Sequence, residues 1–408
     1  MKNRESRSYP WILVGLLWLI AFLNYVDRQA LFSVLPSIRS ELSLSDAQIG
    51  LLGTVFLWVY GVFSPVAGIL GDRWTRPAII VWSVLLFSTA TLLTGWSSGA
   101  AMLIVLRAWL GISEAMYLPS ASALIVDFHR LETRSKAIGI HLSGLNMGAI
   151  AGGTFAGYMA DHYGWRSPFF LLGTIGFIVA AAAQLLLCNP SSAAKPRQER
   201  RASLGRGLSA ILSTKTVLVI IYSGLSGSMA GWVLMSWLPL HLYERFHLTM
   251  AQAAFNGTFY SLGSTAVASI LGSVVSDRWA VTRRDARLRL QTLALAVFGV
   301  GLLAATSSAS ESGLLTWLCV AGLGRGLWDC NNMPVFSEVL EPNSWATAYG
   351  FFNLANVFGG GLAVLVAGIF RASIGLTMLL AIFSGLLMIA AALSWMSTRR
   401  FFSREVRV

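Results

Sequence analysis

Residues 11–35 read WILVGLLWLIAFLNYVDRQALFSVL, an apolar run of membrane length with an acid and a base, Asp27 and Arg28, side by side within it. About 20 apolar residues in a helix cross about 30 Å of hydrocarbon. An ionised side chain at that depth is costly unless paired or hydrated, so Asp27 and Arg28 read first as functional residues. The run is too long for a signal-peptide core and meets no small-residue cleavage site, so it is expected as a helix of the mature protein.

Working outward, similar runs recur to the end of the chain. The expected spans are 11–35, 47–70, 77–97, 101–126, 135–160, 167–188, 216–241, 252–275, 290–308, 312–336, 345–369 and 373–396, which makes an all-α membrane protein of twelve transmembrane helices. Composition agrees: 55% of the 408 residues are hydrophobic and 12% charged, where a soluble domain carries about a quarter charged residues. The net charge of +12 is not read as a nucleic-acid signal, because of where the charges fall. Most of the 30 basic residues lie in segments on the side of the N-terminus, whereas the opposite loops hold Arg39, Arg166, Arg245 and Arg371. The positive-inside rule then places both termini in the cytoplasm, with anionic lipid as the partner of the basic side and a bacterial inner membrane as the expected location. Cys188, Cys319 and Cys330 have apolar neighbours and no ligand spacing, so they read as packing residues rather than metal ligands or a disulfide.

Six spans, a polar stretch and six more spans divide the chain into an N-terminal bundle 1–188, a linker 189–215 and a C-terminal bundle 216–408. Within the linker a surface helix is expected around Leu204–Leu212. Asp72-Arg73-Trp74 closes the second span and Asp277-Arg278-Trp279 closes the eighth, so the halves read as parallel repeats with substrate expected between them. Gly68 through Arg76, with Asp72 and Arg73 at its centre, resembles the loop between the second and third helices of the major facilitator superfamily. Three further stretches sharpen the resemblance to its anion:cation symporters and, as a close second, to its Spinster-like lysolipid transporters. These are Asn24-Tyr25-Val26-Asp27-Arg28, then Arg107 through Ala115 with Leu118-Pro119, then Ser135-Lys136-Ala137-Ile138-Gly139-Ile140 with Gly144, followed by Gly164-Trp165-Arg166. In the C-terminal half it rests on Asp277-Arg278 and on Gly350 through Gly359. The resemblance implies two six-helix bundles working by alternating access, with Asp72, Arg73, Arg76, Asp277 and Arg278 as gating residues.

Six ionisable residues fall inside spans: Asp27, Arg28, Arg107, Glu114, Arg325 and Asp329. At about 1.5 Å of rise per residue, Asp27 and Arg107 come level, and Glu114 lies about two turns deeper on the face of Arg107. Asp27 and Glu114 are therefore the candidate proton carriers, with Arg107 as the switching partner of Asp27. Forming or breaking such a pair changes a carboxyl's proton affinity. Arginine itself stays charged. A guanidinium holds a carboxylate through two parallel hydrogen bonds, which makes Arg28 and Arg325 candidates for binding an anion; Asp329, at i,i+4 from Arg325, offers it an intrahelical partner instead. Tyr25, Tyr60, Asn146, Asn331, Asn332, Asn353 and Asn356 are candidate contacts for substrate hydroxyls, each of which has a plainer reading as an interhelical hydrogen bond.

The chain is thus expected to be a monomeric, proton-coupled symporter of a small organic anion such as a sugar acid, needing no cofactor beyond the proton gradient. A Spinster-like transporter of lysophospholipid-type amphiphiles is the alternative. A membrane enzyme or non-transporting receptor is disfavoured, because the sequence has no nucleotide loop, metal cluster or paired nucleophile and base.

Overall fold

A computed structural model describes residues 8–189 and 204–406, apart from the side chains at 67–73, 131–132, 135, 204–207, 342–343 and 346. Residues 190–203 of the expected linker, and the side chains of Asp72, Arg73 and Ser135, therefore lie outside the described residues. The helices are α1 (Tyr9–Ser33), α2 (Leu35–Leu42), α3 (Asp46–Arg73), α4 (Arg76–Thr94), α5 (Ala100–Phe128), α6 (Leu131–Tyr163) and α7 (Ser167–Leu186). They are followed by α8 (Leu204–Ser213), α9 (Lys215–Phe246), α10 (Met250–Thr258), a π-helical turn (Phe259–Gly263) and α11 (Ser264–Thr282). The chain ends in α12 (Ala286–Ser307), α13 (Glu311–Asp329), α14 (Asn332–Val339), α15 (Pro342–Arg400) and α16 (Phe402–Glu405). The expected spans all fall on helical segments, the eighth being divided among α10, the π-helical turn and α11 and the tenth between α13 and α14, and α8 coincides with the surface helix expected in the linker.

Proline places several of the boundaries. The first turns of α1, α2, α4, α7 and α15 each carry one, where its missing N–H costs nothing and its fixed φ starts the helix. Pro36 also explains why the first span is two helices. It cannot donate to the carbonyl four residues back, and Val34 leaves helical geometry at φ −101°, ψ 9°. The last two expected spans form one run, α15, broken at Gly375 with φ +78° and ψ 156°. Only glycine adopts that conformation without strain, so the turn comes at Gly375 rather than at the expected gap of 370–372.

The described residues form two compact units, Met1–Lys195 with Met235–Phe255, and Pro196–Leu234 with Asn256–Val408. Inside the first, α1 packs on α6, α3 on α5, and α4 on both α5 and α7. Inside the second, α11 packs on α13, and α12 on α13 and α15. The pairings α3–α5, α4–α5 and α4–α7 thus reappear as α11–α13, α12–α13 and α12–α15, which is the parallel repeat read from Asp72 and Asp277. The segment 235–255 joins the first unit through polar contacts. Gln29 Nε2 donates to the Met235 carbonyl at 3.2 Å, Arg39 pairs with Glu244 at 2.9 Å, and the Asp161 carboxylate accepts the N–H groups of Met250 and Ala251 at 3.2 Å each. Asp161 so satisfies two free donors at the start of α10, where the helix dipole also favours its charge.

Close approach of α1 to α6 fixes the helix that carries Asp27 and Arg28. A Cβ on Gly148 would fall 2.3 Å from the Phe22 carbonyl oxygen, and one on Gly152 would fall 2.3 Å from Val26 Cα. These contacts are with backbone, which cannot rotate away. We expect Gly152→Ala to lower stability by about 1–3 kcal/mol through overpacking, read as a drop in the unfolding temperature of the purified protein. Gly139→Ala, on the same helix but with open space around it, should be neutral or slightly stabilising.

Candidate functional site

The buried charges of the first unit converge at one place. Asn24, Asp27, Arg28, Arg107 and Glu114 are each 5% exposed or less, so their neighbours in the protein are what compensates them. Arg28 reaches from α1 to α5 and meets Glu114 through both Nε, at 3.2 Å from Oε2, and Nη2. Its guanidinium lies over the rings of Tyr25 at 4.3 Å, Phe56 at 4.6 Å and Tyr60 at 5.7 Å, an arrangement that stabilises a cation while keeping it dry. Arg107 lies over Phe56 at 4.8 Å and Phe32 at 5.4 Å, and its Nε donates to the Leu52 carbonyl at 3.4 Å. Asp27 stands beside Thr91 of α4. Two arginines and two carboxylates make the cluster electrically neutral. Asn24 stands beside Glu114, and the cluster still holds spare hydrogen-bonding capacity: Asn24 Nδ2, Asp27 Oδ2, Arg107 Nη2 and Glu114 Oε1 make no hydrogen bond of good geometry with the described residues.

The sequence leads to an expected pairing of Asp27 with Arg107 and of Arg28 with a ligand. The structure joins Arg28 to Glu114, and Asp27 and Arg107 are not in ion-pair contact. The reason is helix phase and reach. Consecutive residues point about 100° apart on a helix, so Asp27 and Arg28 face different neighbours, and a long Arg and Glu together bridge two helices where a short Asp does not. Local packing sets that bridge. Tyr117, three positions past Glu114, donates its hydroxyl to the Leu17 carbonyl at 2.6 Å and ties α5 to α1. Gly111 brings α5 against α3, since a Cβ there would meet the Phe56 carbonyl at 2.8 Å. Phe56, Thr91 and Tyr117 are parts of the site that sequence reasoning did not single out; each is an ordinary residue in an apolar run, without a local signal.

In the second unit the candidates are less gathered. Arg325 packs its guanidinium against Gly231 of α9, where a Cβ would come within 3.1 Å of Cζ. Asn331 and Asn332 are buried and bonded between helices: Asn331 Oδ1 accepts from Ser276, and Asn332 Oδ1 accepts from Gln291 Nε2 at 2.6 Å. Asn356 keeps Oδ1 unpartnered among the described residues, beside Gly224. Asn353, like Asn146 of the first unit, is exposed.

The expected gating residues show a repeated pattern. Arg76 at the start of α4 pairs with Asp127 at the end of α5, and Arg287 at the start of α12 pairs with Glu338 at the end of α14. The two pairs are related by one common sequence offset. Arg287 also holds Asp277 at 2.8 Å, while Arg278 is exposed.

Comparisons with known proteins bear on the family and the fold. The Major Facilitator Superfamily profile matches residues 17–363 and 228–407. The chain belongs to that superfamily. Among its relatives in the superfamily, probable anion transporter 3 of Arabidopsis thaliana chloroplasts is 28% identical over 247 residues, which are 56% of this chain and 48% of that protein, so the chain spans about half the length of that relative. The probable galactarate/D-glucarate transporter GudP of Bacillus subtilis is 22% identical over 300 residues, 67% of this chain and 66% of that protein. In fold, the chain matches a crystal structure of a bacterial homologue of the human lysosomal transporter Spinster, in an inward-facing and occupied conformation, with a TM-score of 0.85 at 20% identity over 99% of each chain.

Because the Arg28–Glu114 pair is buried, removing one partner strands the other. Glu114→Ala should cost about 3–5 kcal/mol, seen as a large fall in unfolding temperature. Arg28→Met combined with Glu114→Leu should recover most of that stability, since a well-packed apolar pair of similar volume replaces two desolvated charges.

Proposed function

We propose that this superfamily transporter is a proton-coupled symporter of a small organic anion, such as a sugar acid or another hydroxylated carboxylate, working by alternating access. The observation that carries the proposal is the neutral, buried cluster of Asp27, Arg28, Arg107 and Glu114 with unpartnered donors and acceptors. A cluster already balanced in charge has no free positive charge for an incoming carboxylate. Protonating Asp27 or Glu114 leaves an arginine in excess and creates that charge, which links uptake of the anion to uptake of a proton. In this reading Asp27 and Glu114 carry the proton, with Arg107 tuning Asp27. Arg28 is released from Glu114 to bind the anion, together with Arg325 of the second unit. Tyr25, Tyr60, Asn146, Asn331, Asn332, Asn353 and Asn356 supply polar contacts to the substrate. Asp72, Arg73, Arg76, Asp277 and Arg278 act at the gate, where pairs such as Arg76–Asp127 open and close with the inner side. The names of the relatives, an anion transporter and a galactarate/D-glucarate transporter, support the same substrate class.

Purified protein in proteoliposomes tests the reading. A thermal-shift screen of hydroxylated carboxylates and lysophospholipids selects ligands, and uptake of each hit is measured with and without an inward proton gradient. The expected result is accumulation of an organic acid only under the gradient. Asp27→Asn should abolish accumulation while retaining exchange of substrate across the membrane. Gradient-driven uptake that survives both Asp27→Asn and Glu114→Gln would refute the coupling role, and a response to lysophospholipids alone would favour the Spinster-like alternative.

A further inference from the structure

The second unit carries a basic cleft that the transport reading does not use. It has a volume of about 360 Å³ and is formed by the α11–α12 loop and the end of the chain, with Arg283, Arg284 and Asp285 on one wall and Thr398, Phe402 and Ser403 on the other. From these residues we infer that the cleft binds the phosphate headgroup of an anionic membrane lipid.

Charge is the first argument. Asp285 is the carboxylate of the cleft, and it is engaged by Arg289 at 2.7 Å and by Arg283 at 3.4 Å. The nearby Glu405 is engaged as well, because its two oxygens accept the N–H groups of Lys215 and Thr216 at 2.9 Å each, at the start of α9. Among the described residues no carboxylate pairs with Arg284, Arg400 or Arg404. The cleft and its rim therefore carry an uncompensated positive charge, and Ser403, exposed on the wall, adds a hydroxyl donor. Guanidinium groups with a hydroxyl are the donor set that suits phosphate oxygens.

Exposed apolar neighbours favour a lipid over a free anion. Trp395 is 55% exposed near the end of α15, in the manner of an interfacial anchor. One turn further, Arg399 stacks on it at 4.8 Å, and the adjacent Thr398 lines the cleft. On the other wall Val281 is 87% exposed two residues before Arg283. Exposed apolar side chains close in the chain to a basic cleft match a lipid, whose acyl chains run along the helices while its phosphate sits in the cleft. Phe402, 1% exposed, holds the chain end in place so that the cleft is preformed.

The test uses the full chain, purified and exchanged into mixed phosphatidylglycerol and phosphatidylcholine, with retained lipid counted by native mass spectrometry. Wild type should keep phosphatidylglycerol preferentially. Arg283→Gln with Arg284→Gln should reduce that retention about tenfold or more, and Ser403→Asp, which puts a negative charge in the cleft without removing either arginine, should do the same. Arg130→Gln, an exposed arginine of the first unit, should change nothing. Unfolding temperatures in pure phosphatidylcholine should be equal for all four proteins, which separates loss of the site from loss of the fold. Undiminished phosphatidylglycerol retention in both cleft variants would overturn the inference. So would thermal stabilisation by inorganic phosphate in lipid-free detergent that depends on Arg283 and Arg284 without any preference for phosphatidylglycerol, since the site would then take a free anion.

Discussion

Two opposite charges, those of Arg28 and Glu114, are brought out of water between α1 and α5. Desolvating an arginine and a glutamate is repaid only when their geometry is good and their remaining atoms are attended to. The surroundings of Arg28 and Glu114 meet part of that demand. Three aromatic rings face the guanidinium, two of its nitrogens meet the carboxylate, and Tyr117 ties the two helices by bonding to the backbone rather than competing for the charge. What is left unmet is as informative. Asn24, Asp27, Arg107 and Glu114 each hold one atom that makes no hydrogen bond of good geometry with the described residues.

Such a pair needs the two helices that carry it to be held in place, and their contacts with neighbouring helices are arranged for it. The α6 glycines let α1 pass at backbone contact on one side, and Gly111 lets α5 meet α3 on the other. The helix bearing Asp27 and Arg28 is therefore fixed by small residues on a neighbour together with its own buried Leu13, Leu17, Ile20 and Phe32. The same device operates in the second unit, where Gly360 of α15 leaves room for Trp232 of α9, with 2.3 Å to a Cβ placed there. Membrane helices have little hydrophobic drive towards one another, so close packing and interhelical hydrogen bonds carry their association. Ser83 to the Ser113 carbonyl at 2.6 Å and Ser384 to the Gly299 carbonyl at 2.7 Å are instances, one in each unit.

The fold was legible because hydropathy at membrane length is a strong signal and because charges mark the breaks. The ends were less so, since they depend on single residues. Pro36 splits the first span, and Gly375 carries the last turn beyond the place where polarity suggested it. That Arg371 and Ser373 are polar is a fact about side chains; that the helix continues past them is a fact about backbone, which releases only where positive φ is allowed. The two compact units likewise divide α9 and α10 between them. Backbone-directed contacts from Gln29 and Asp161 are invisible to composition.

For the site, the identity of the charged residues was legible and their partners were not. An Asp, an Arg and a Glu stand out in apolar helices because each is expensive there. Which acid meets which base depends on the rotation and spacing of two helices far apart in sequence, and an error of one residue in phase turns a side chain by about 100°. Asp27 and Arg28 are adjacent, so that one step decides which of them faces α5. The asparagines make the complementary case. Asn331 and Asn332 share a stretch with Arg325 and look alike in sequence, yet both have their amide oxygens engaged by Ser276 and Gln291, while Asn356 keeps its own without a partner among the described residues. A polar residue's capacity to bind a ligand is what its neighbours leave unused, and only the packed structure reveals that remainder.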